Sequence, residues 1–180
     1  MVEDRLIELI EPVLRELGSV REAGESFAEP PLDVLGYYPR RVRLGLLPII
    51  GRGLGVVMVV RQPVDVEGSR AGYQRLLTRM AMAANGRFPP WKGLVLGLTA
   101  VVLTPEPIAP GDDEMLRQVL DVKLRRMRVV PFGLIRVNLG QEAVSLAIHA
   151  SPDELFPEPD RLGDVLCENL RRFVPLISFE

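Results

Sequence analysis

Leu94-Val-Leu-Gly-Leu-Thr-Ala-Val-Val-Leu103 is the stretch on which the reading of this chain turns. It carries no charge, and its apolar residues do not alternate with polar ones. A run of this kind is apolar on both faces, as a strand in the middle of a covered sheet must be. Extended to the uncharged segment 93–104, it still falls well short of the roughly 20 residues that a membrane-crossing helix needs. No transmembrane segment is expected.

Upstream of it, Phe88-Pro-Pro-Trp91 reads as a turn, preceded by a helix that Gly68-Ser69 opens and Asn85-Gly86 closes. In that helix Tyr73, Leu76, Leu77, Met80 and Ala84 form the apolar stripe, while Arg75 and Arg79 share another face. Further back, Val42, Leu44 and Leu46 alternate with Arg41, Arg43 and Gly45. This predicts a strand from residue 41, joined through Gly51-Arg-Gly53 to a second at 54–60. Residues 19–39 hold Gly24, Pro30-Pro31, Gly36 and Pro39 without a period, and read as a loop that either wraps the domain or is mobile. Before the loop, Leu6, Leu9, Ile10, Val13, Leu14 and Leu17 make an amphipathic helix ended by Gly18. Pro12 is expected to kink it or delay its start.

Downstream, Pro105, Pro107 and Pro110 stiffen a connection into a helix that begins with Asp112-Asp113-Glu114 and ends with Lys123, Arg125, Arg126 and Arg128. Acids first and bases last is the order the helix dipole favours. Met115, Leu116, Val119, Leu120 and Met127 face inward. Segments 129–137 and 143–150 read as a second hairpin about Leu139-Gly140-Gln141, with Val144, Leu146 and Ile148 on one face. After Pro152, Pro157 and Pro159, a last helix at 160–173 buries Leu162, Val165, Leu166, Leu170 and Phe173. The order predicts one α+β domain over residues 1–180: a five-stranded, mostly antiparallel sheet made from two hairpins and a central strand, packed with about four helices. The strict βα alternation of a doubly wound fold is not seen.

The 180 residues, 47% hydrophobic and 26% charged, suit a compact body that folds without covalent staples. One cysteine, Cys167, and one histidine, His149, allow neither an internal disulfide nor a zinc site of Cys and His. With acids rather than bases after Met1, and a first helix broken by charges, the chain reads as cytoplasmic. The formal net charge of −2 is unevenly spread: residues 1–35 hold nine acids and three bases, residues 36–92 two acids and ten bases. A basic middle suggests an acidic partner.

No motif tied to one chemistry is present. Gly51-Arg-Gly53-Leu-Gly55 lacks the spacing of a phosphate loop and reads as a hairpin turn. Cys167 with His149 lacks an oxyanion motif and reads as a packed or surface thiol. Asp65 with Glu67, and Asp121 with Lys123, are the carboxylates a metal-dependent nuclease reading would use, but Asp121 and Lys123 fall two apart in a predicted helix and do not face each other. Asp112, Asp113 and Glu114 read as helix caps. No catalytic residue, metal ligand or cofactor follows from the sequence. The partner-binding candidates are Arg40, Arg41 and Arg43 on the first strand and Arg75 and Arg79 on the following helix. If strand and helix adjoin, they form one positive surface suited to an acidic protein, to nucleic acid or to membrane headgroups, with nucleic acid below protein since Tyr37, Tyr38 and Trp91 are few for base stacking.

The closing half, with its helix from Leu116 to Met127, its hairpin through Phe132-Gly133-Leu134 to Ile148, its Pro-bounded loop and its helix from Leu162 to Phe173, resembles the type III secretion chaperone-like fold shared by the YbjN-like proteins. That family runs helix, three strands, helix, two strands, helix, and the match needs the helix at 69–84 to be an insertion. The resemblance implies a non-catalytic, often dimeric bacterial protein that holds an extended partner segment on its sheet or in an apolar groove. The expectation is thus a chaperone-like or adaptor-like domain that binds a protein on apolar sheet surface with an arginine-rich rim. A metal-dependent or nucleic-acid-directed enzyme component, and an obligate subunit of a larger assembly, are the alternatives.

Overall fold

The uncharged run is the third strand of a six-stranded sheet whose spatial order follows the chain. A computed structural model describes residues 2–23, 28–43, 52–89, 94–121, 128–149 and 155–173. The elements are α1 (Val2–Glu16), β1 (Val34–Arg43), β2 (Arg52–Arg61), α2 (Arg70–Arg87), β3 (Leu94–Leu103), α3 (Asp112–Leu120), β4 (Val129–Asn138), β5 (Ala143–Ile148), α4 (Glu158–Asn169) and β6 (Arg171–Arg172). The protein is α+β, with four helices and one mixed sheet among the described residues.

The expected five strands, mostly antiparallel, give way to six strands with more parallel pairings than antiparallel. β1 and β2, like β4 and β5, pair antiparallel, whereas β2 with β3, β3 with β4, and β5 with β6 are parallel. The reason lies in the connections. A helix between two neighbouring strands carries the chain back to its starting end, so the second strand runs parallel to the first. Between the two hairpins, therefore, β2-α2-β3-α3-β4 forms a parallel unit of the βα type. Two crossovers of one hand, stepping in one direction along the sheet, leave their helices on the same face.

That face holds one core, in which Tyr73, Leu76, Leu77 and Met80 of α2 and Leu116, Val119 and Leu120 of α3 cover Met58, Val60, Leu98, Ala100 and Leu134. The opposite face holds a second core, where Leu6, Ile10 and Leu14 of α1 and Leu162, Leu166 and Leu170 of α4 cover Val57, Val59, Val101, Ile135 and Val137. The sheet is clad on both sides. This explains why Val56 to Val60 are all buried and why β3 shows no alternation.

Several boundaries differ from expectation. β1 begins at Val34, inside the span read as loop, because Tyr37 and Tyr38 are its inward residues, one in each core. Glycine and proline at Gly36 and Pro39 hid this strand, and the expected positions Leu44 and Leu46 lie outside the described residues. The helix α1 starts at Val2 and continues through Pro12. Asn85-Gly86 does not close α2, which runs to Arg87, while Ser69 caps its start by accepting from Gly72 N at 3.1 Å. The helix α3 ends at Leu120, and Lys123, Arg125, Arg126 and Met127 lie outside the described residues.

Candidate functional site

The sheet's two edges and two ends differ in what they leave open. Beyond β2, β1 meets Arg21, whose Nη2 donates to the Leu35 carbonyl at 2.6 Å, and Glu22, which exchanges backbone hydrogen bonds with Tyr37 (Glu22 N to Tyr37 O 2.7 Å, Tyr37 N to Glu22 O 3.1 Å). In an antiparallel ladder the backbone groups of every second residue point the same way. The outward set after Tyr37 is therefore Pro39, Arg41 and Arg43, and no described residue pairs with them. Proline has no N–H to offer, a usual feature of edge strands.

The five expected arginines do not gather into one surface. Arg40 and Arg41 are neighbours in a strand and point to opposite faces. Arg40 donates from Nε to Glu158 Oε1 at 2.5 Å and from Nη2 to the Leu155 carbonyl at 2.8 Å. Arg41 is exposed, with no ion pair among the described residues. Arg43 ends β1 opposite Arg52. On α2, Arg75 is exposed, but Arg79 is folded inward: Nη1 donates to both Asp65 carboxylate oxygens (3.3 and 3.0 Å) and Nη2 to the carbonyls of Pro30 and Pro31 (3.1 and 3.4 Å). Arg40 and Arg79 are thus tied down on different faces of the sheet.

At the end where β2, β3 and β4 finish lies a polar layer that the sequence reading missed. Gln62, Thr104, Arg136, Asn138 and Ser145 are all buried there. Arg136, 1% exposed, donates to Asp112 Oδ2 at 2.8 Å, lies 3.8 Å from Glu106 Oε2 and sits 4.8 Å from the Tyr73 ring centroid. Its Nε has no partner. Tyr73 donates to Gln62 at 2.6 Å, and burial pushes its hydroxyl pKa up to about 12. Asn138 donates to the carbonyls of Pro105 and Glu106 and accepts from Gln141 N. Asp113 accepts from Ser145 Oγ, Leu146 N and Arg172 Nε. The signal was there: Arg136 is the one charged residue in the ten-residue strand β4.

At the opposite end, the segment 155–159 lies across the α4 side of the sheet. Phe156 stacks on Phe132 with centroids 4.7 Å apart. A Cβ on Gly97 would come within 2.6 Å of Phe156, and one on Gly55 within 2.7 Å of Glu158 Oε1. Only glycine admits that approach. Gly53 and Gly55, read as parts of a turn, belong to β2, and at Gly55 the approach of Glu158 accounts for the glycine. Beside the strap, Val95 and Val130 are exposed at 37% and 40%.

The remaining sequence candidates are separate or engaged elsewhere. His149 Nε2 lies 3.2 Å from Asp121 Oδ1, whereas Cys167 packs against the core on the other face, and burial raises its thiol pKa, which disfavours the thiolate. Asp112 and Asp113 hold Arg136 and the β5 strand, and Glu114 pairs with Arg117. Among the described residues no three His, Cys, Asp or Glu side chains converge as metal ligands would, and no described helix is long and apolar enough to cross a membrane. No family model, curated protein or solved structure matches this chain.

Proposed function

We propose that the chain is a non-catalytic protein-binding domain, chaperone-like or adaptor-like, acting in the cytoplasm. One observation carries this reading: β1 is an edge strand whose outward backbone groups beyond Tyr37 meet no described residue. An exposed edge is a template for adding a strand, and main-chain hydrogen bonds then supply affinity without any reacting group. The apolar sheet surface expected to hold the partner is mostly covered by helices. What supports binding is this edge. The polar layer, by contrast, is engaged in fixing loops.

The resemblance to the chaperone-like fold points the same way. A buried arginine with a free Nε at the ends of parallel strands favours a second reading, an enzyme component, since open α/β sheets bind ligands at that end. The two separate in one experiment. The tagged protein is purified from its native lysate and its mass measured in solution. A stoichiometric protein released by salt is expected; a lone chain carrying nucleic acid or metal overturns the reading.

A further inference from the structure

We infer that the occupant of the β1 edge is an extended acidic segment of a partner protein, added antiparallel along Pro39 to Arg43 with its carboxylates opposite Arg41. This rests on the protein-binding reading above and names its site and partner chemistry. The molecule already uses the mode once. Glu22, in an extended stretch, forms an antiparallel bridge to Tyr37, so a second strand can continue the ladder from the next outward residue. The run that no described residue pairs on its outer side spans five residues, about 17 Å at the usual strand rise.

Charge selects the occupant. Arg40, Arg41, Arg43 and Arg52 fall within four successive register rows of the β1–β2 pair, with Arg43 directly opposite Arg52. Like charges facing each other across a ladder destabilise it. Arg40 is taken by Glu158, while Arg41 is exposed with no ion pair among the described residues. An acidic strand supplies Arg41 with a counter-charge. A second copy of this chain does the reverse, since antiparallel pairing of two β1 edges brings more arginines against these. A backbone edge also selects an extended chain over a flat anionic surface, because the N–H and C=O of Arg41 need complementary groups in register.

The test uses the full chain and a dye-labelled peptide of alternating glutamate and threonine, with a lysine and threonine peptide as control, read by fluorescence anisotropy and by hydrogen exchange at the Arg41 amide. The acidic peptide is expected to bind, to weaken steeply with added salt, and to slow exchange at Arg41; the basic peptide is expected not to bind. Arg41→Pro, which removes the outward N–H at a position where an edge strand tolerates proline, and Arg41→Glu should each weaken binding at least tenfold, while Arg75→Glu leaves it unchanged. Binding that survives both Arg41 variants, or that falls equally with Arg75→Glu, overturns the proposal. So does absence of peptide binding, binding to phosphatidylserine vesicles in its place, or a concentration-dependent dimer abolished by Arg41→Pro. If a lysate partner is recovered equally by wild type and Arg41→Pro, the edge is wrong and the protein-binding reading stands; if neither recovers one, that reading falls.

Discussion

The two ends of the sheet treat buried charge in opposite ways. Where β2, β3 and β4 finish, Arg136 is met by Asp112, Glu106 and the Tyr73 ring, and the neighbouring Asn138, Gln62 and Asp113 tie three loops and two strands together. Where those strands begin, Gly55 and Gly97 let the segment 155–159 lie close against the sheet, and Glu158 holds Arg40. Polar groups at the first end fix the fold; at the second, Arg41 and the outward backbone beyond Tyr37 meet no partner among the described residues. A polar residue in a strand therefore says little about function until its partners are counted.

The largest expected effect comes from breaking the first end. Arg136→Met removes the guanidinium from Asp112, which keeps the Ala109 N–H, and should cost about 3 kcal/mol, the lower end of the loss when one member of a buried pair is removed. Urea denaturation measures it, and the cycle with Asp112→Asn should show strong coupling between the two. A loss under about 1 kcal/mol would mean that water replaces the guanidinium and that this end is open after all.

Next in size is the alkaline limit. Burial raises both Tyr73 and Tyr38 from the ordinary 10.0 to about 12, with Glu11 adding to the rise at Tyr38. The unfolded chain therefore releases these protons first. Their contribution is complete below pH 10 and is lost as pH climbs from 10 to 12, on the order of 2–3 kcal/mol for each. Absorbance at 295 nm followed alongside circular dichroism should show ionisation coinciding with unfolding. Tyr73→Phe should remove its share of the slope, and early ionisation without unfolding would contradict the burial argument.

Much of this contrast was open to sequence reading, and the reasons for the rest are physical. Apolar periodicity gave α1, α2 and α4, and an uncharged run gave β3 its central place, because burial acts on each residue separately. Strand direction was not legible. It depends on whether an intervening helix packs back on the sheet, and the segment 54–60 was read as half of a hairpin when β2 also pairs with β3. Within the candidate site, Arg41 was named, but Arg40 is neutralised by Glu158, 118 positions away in the chain. Arg79 is held by Asp65 and by two proline carbonyls. Pairing over such separations leaves no local trace, so a count of arginines overstated the free charge.

The strap offers an intermediate effect. Gly97→Val inserts a branched side chain where Phe156 lies 2.6 Å from the would-be Cβ. Overpacking of this kind costs about 1–3 kcal/mol. Near-ultraviolet circular dichroism should change as the Phe132–Phe156 stack is displaced, while the far-ultraviolet spectrum holds. Loss of secondary structure as well would show that the strap supports the whole sheet and is not a local cover.

The smallest effect on stability belongs to the residue with the largest proposed role in binding. Arg40 and Arg41 are adjacent, equally charged and on one strand, yet one is 18% exposed and paired while the other lies open. Arg40→Met removes a charge-assisted bond to a carboxylate that is 2% exposed, so a destabilisation of about 1.5–3 kcal/mol is expected. Arg41→Glu touches no described partner and should stay within about 0.5 kcal/mol of wild type. Chemical denaturation of both variants decides whether alternation along β1 divides structural from available charge. Equal losses at the two positions would place Arg41 in the scaffold with its neighbour, and would remove the edge from consideration as a binding surface.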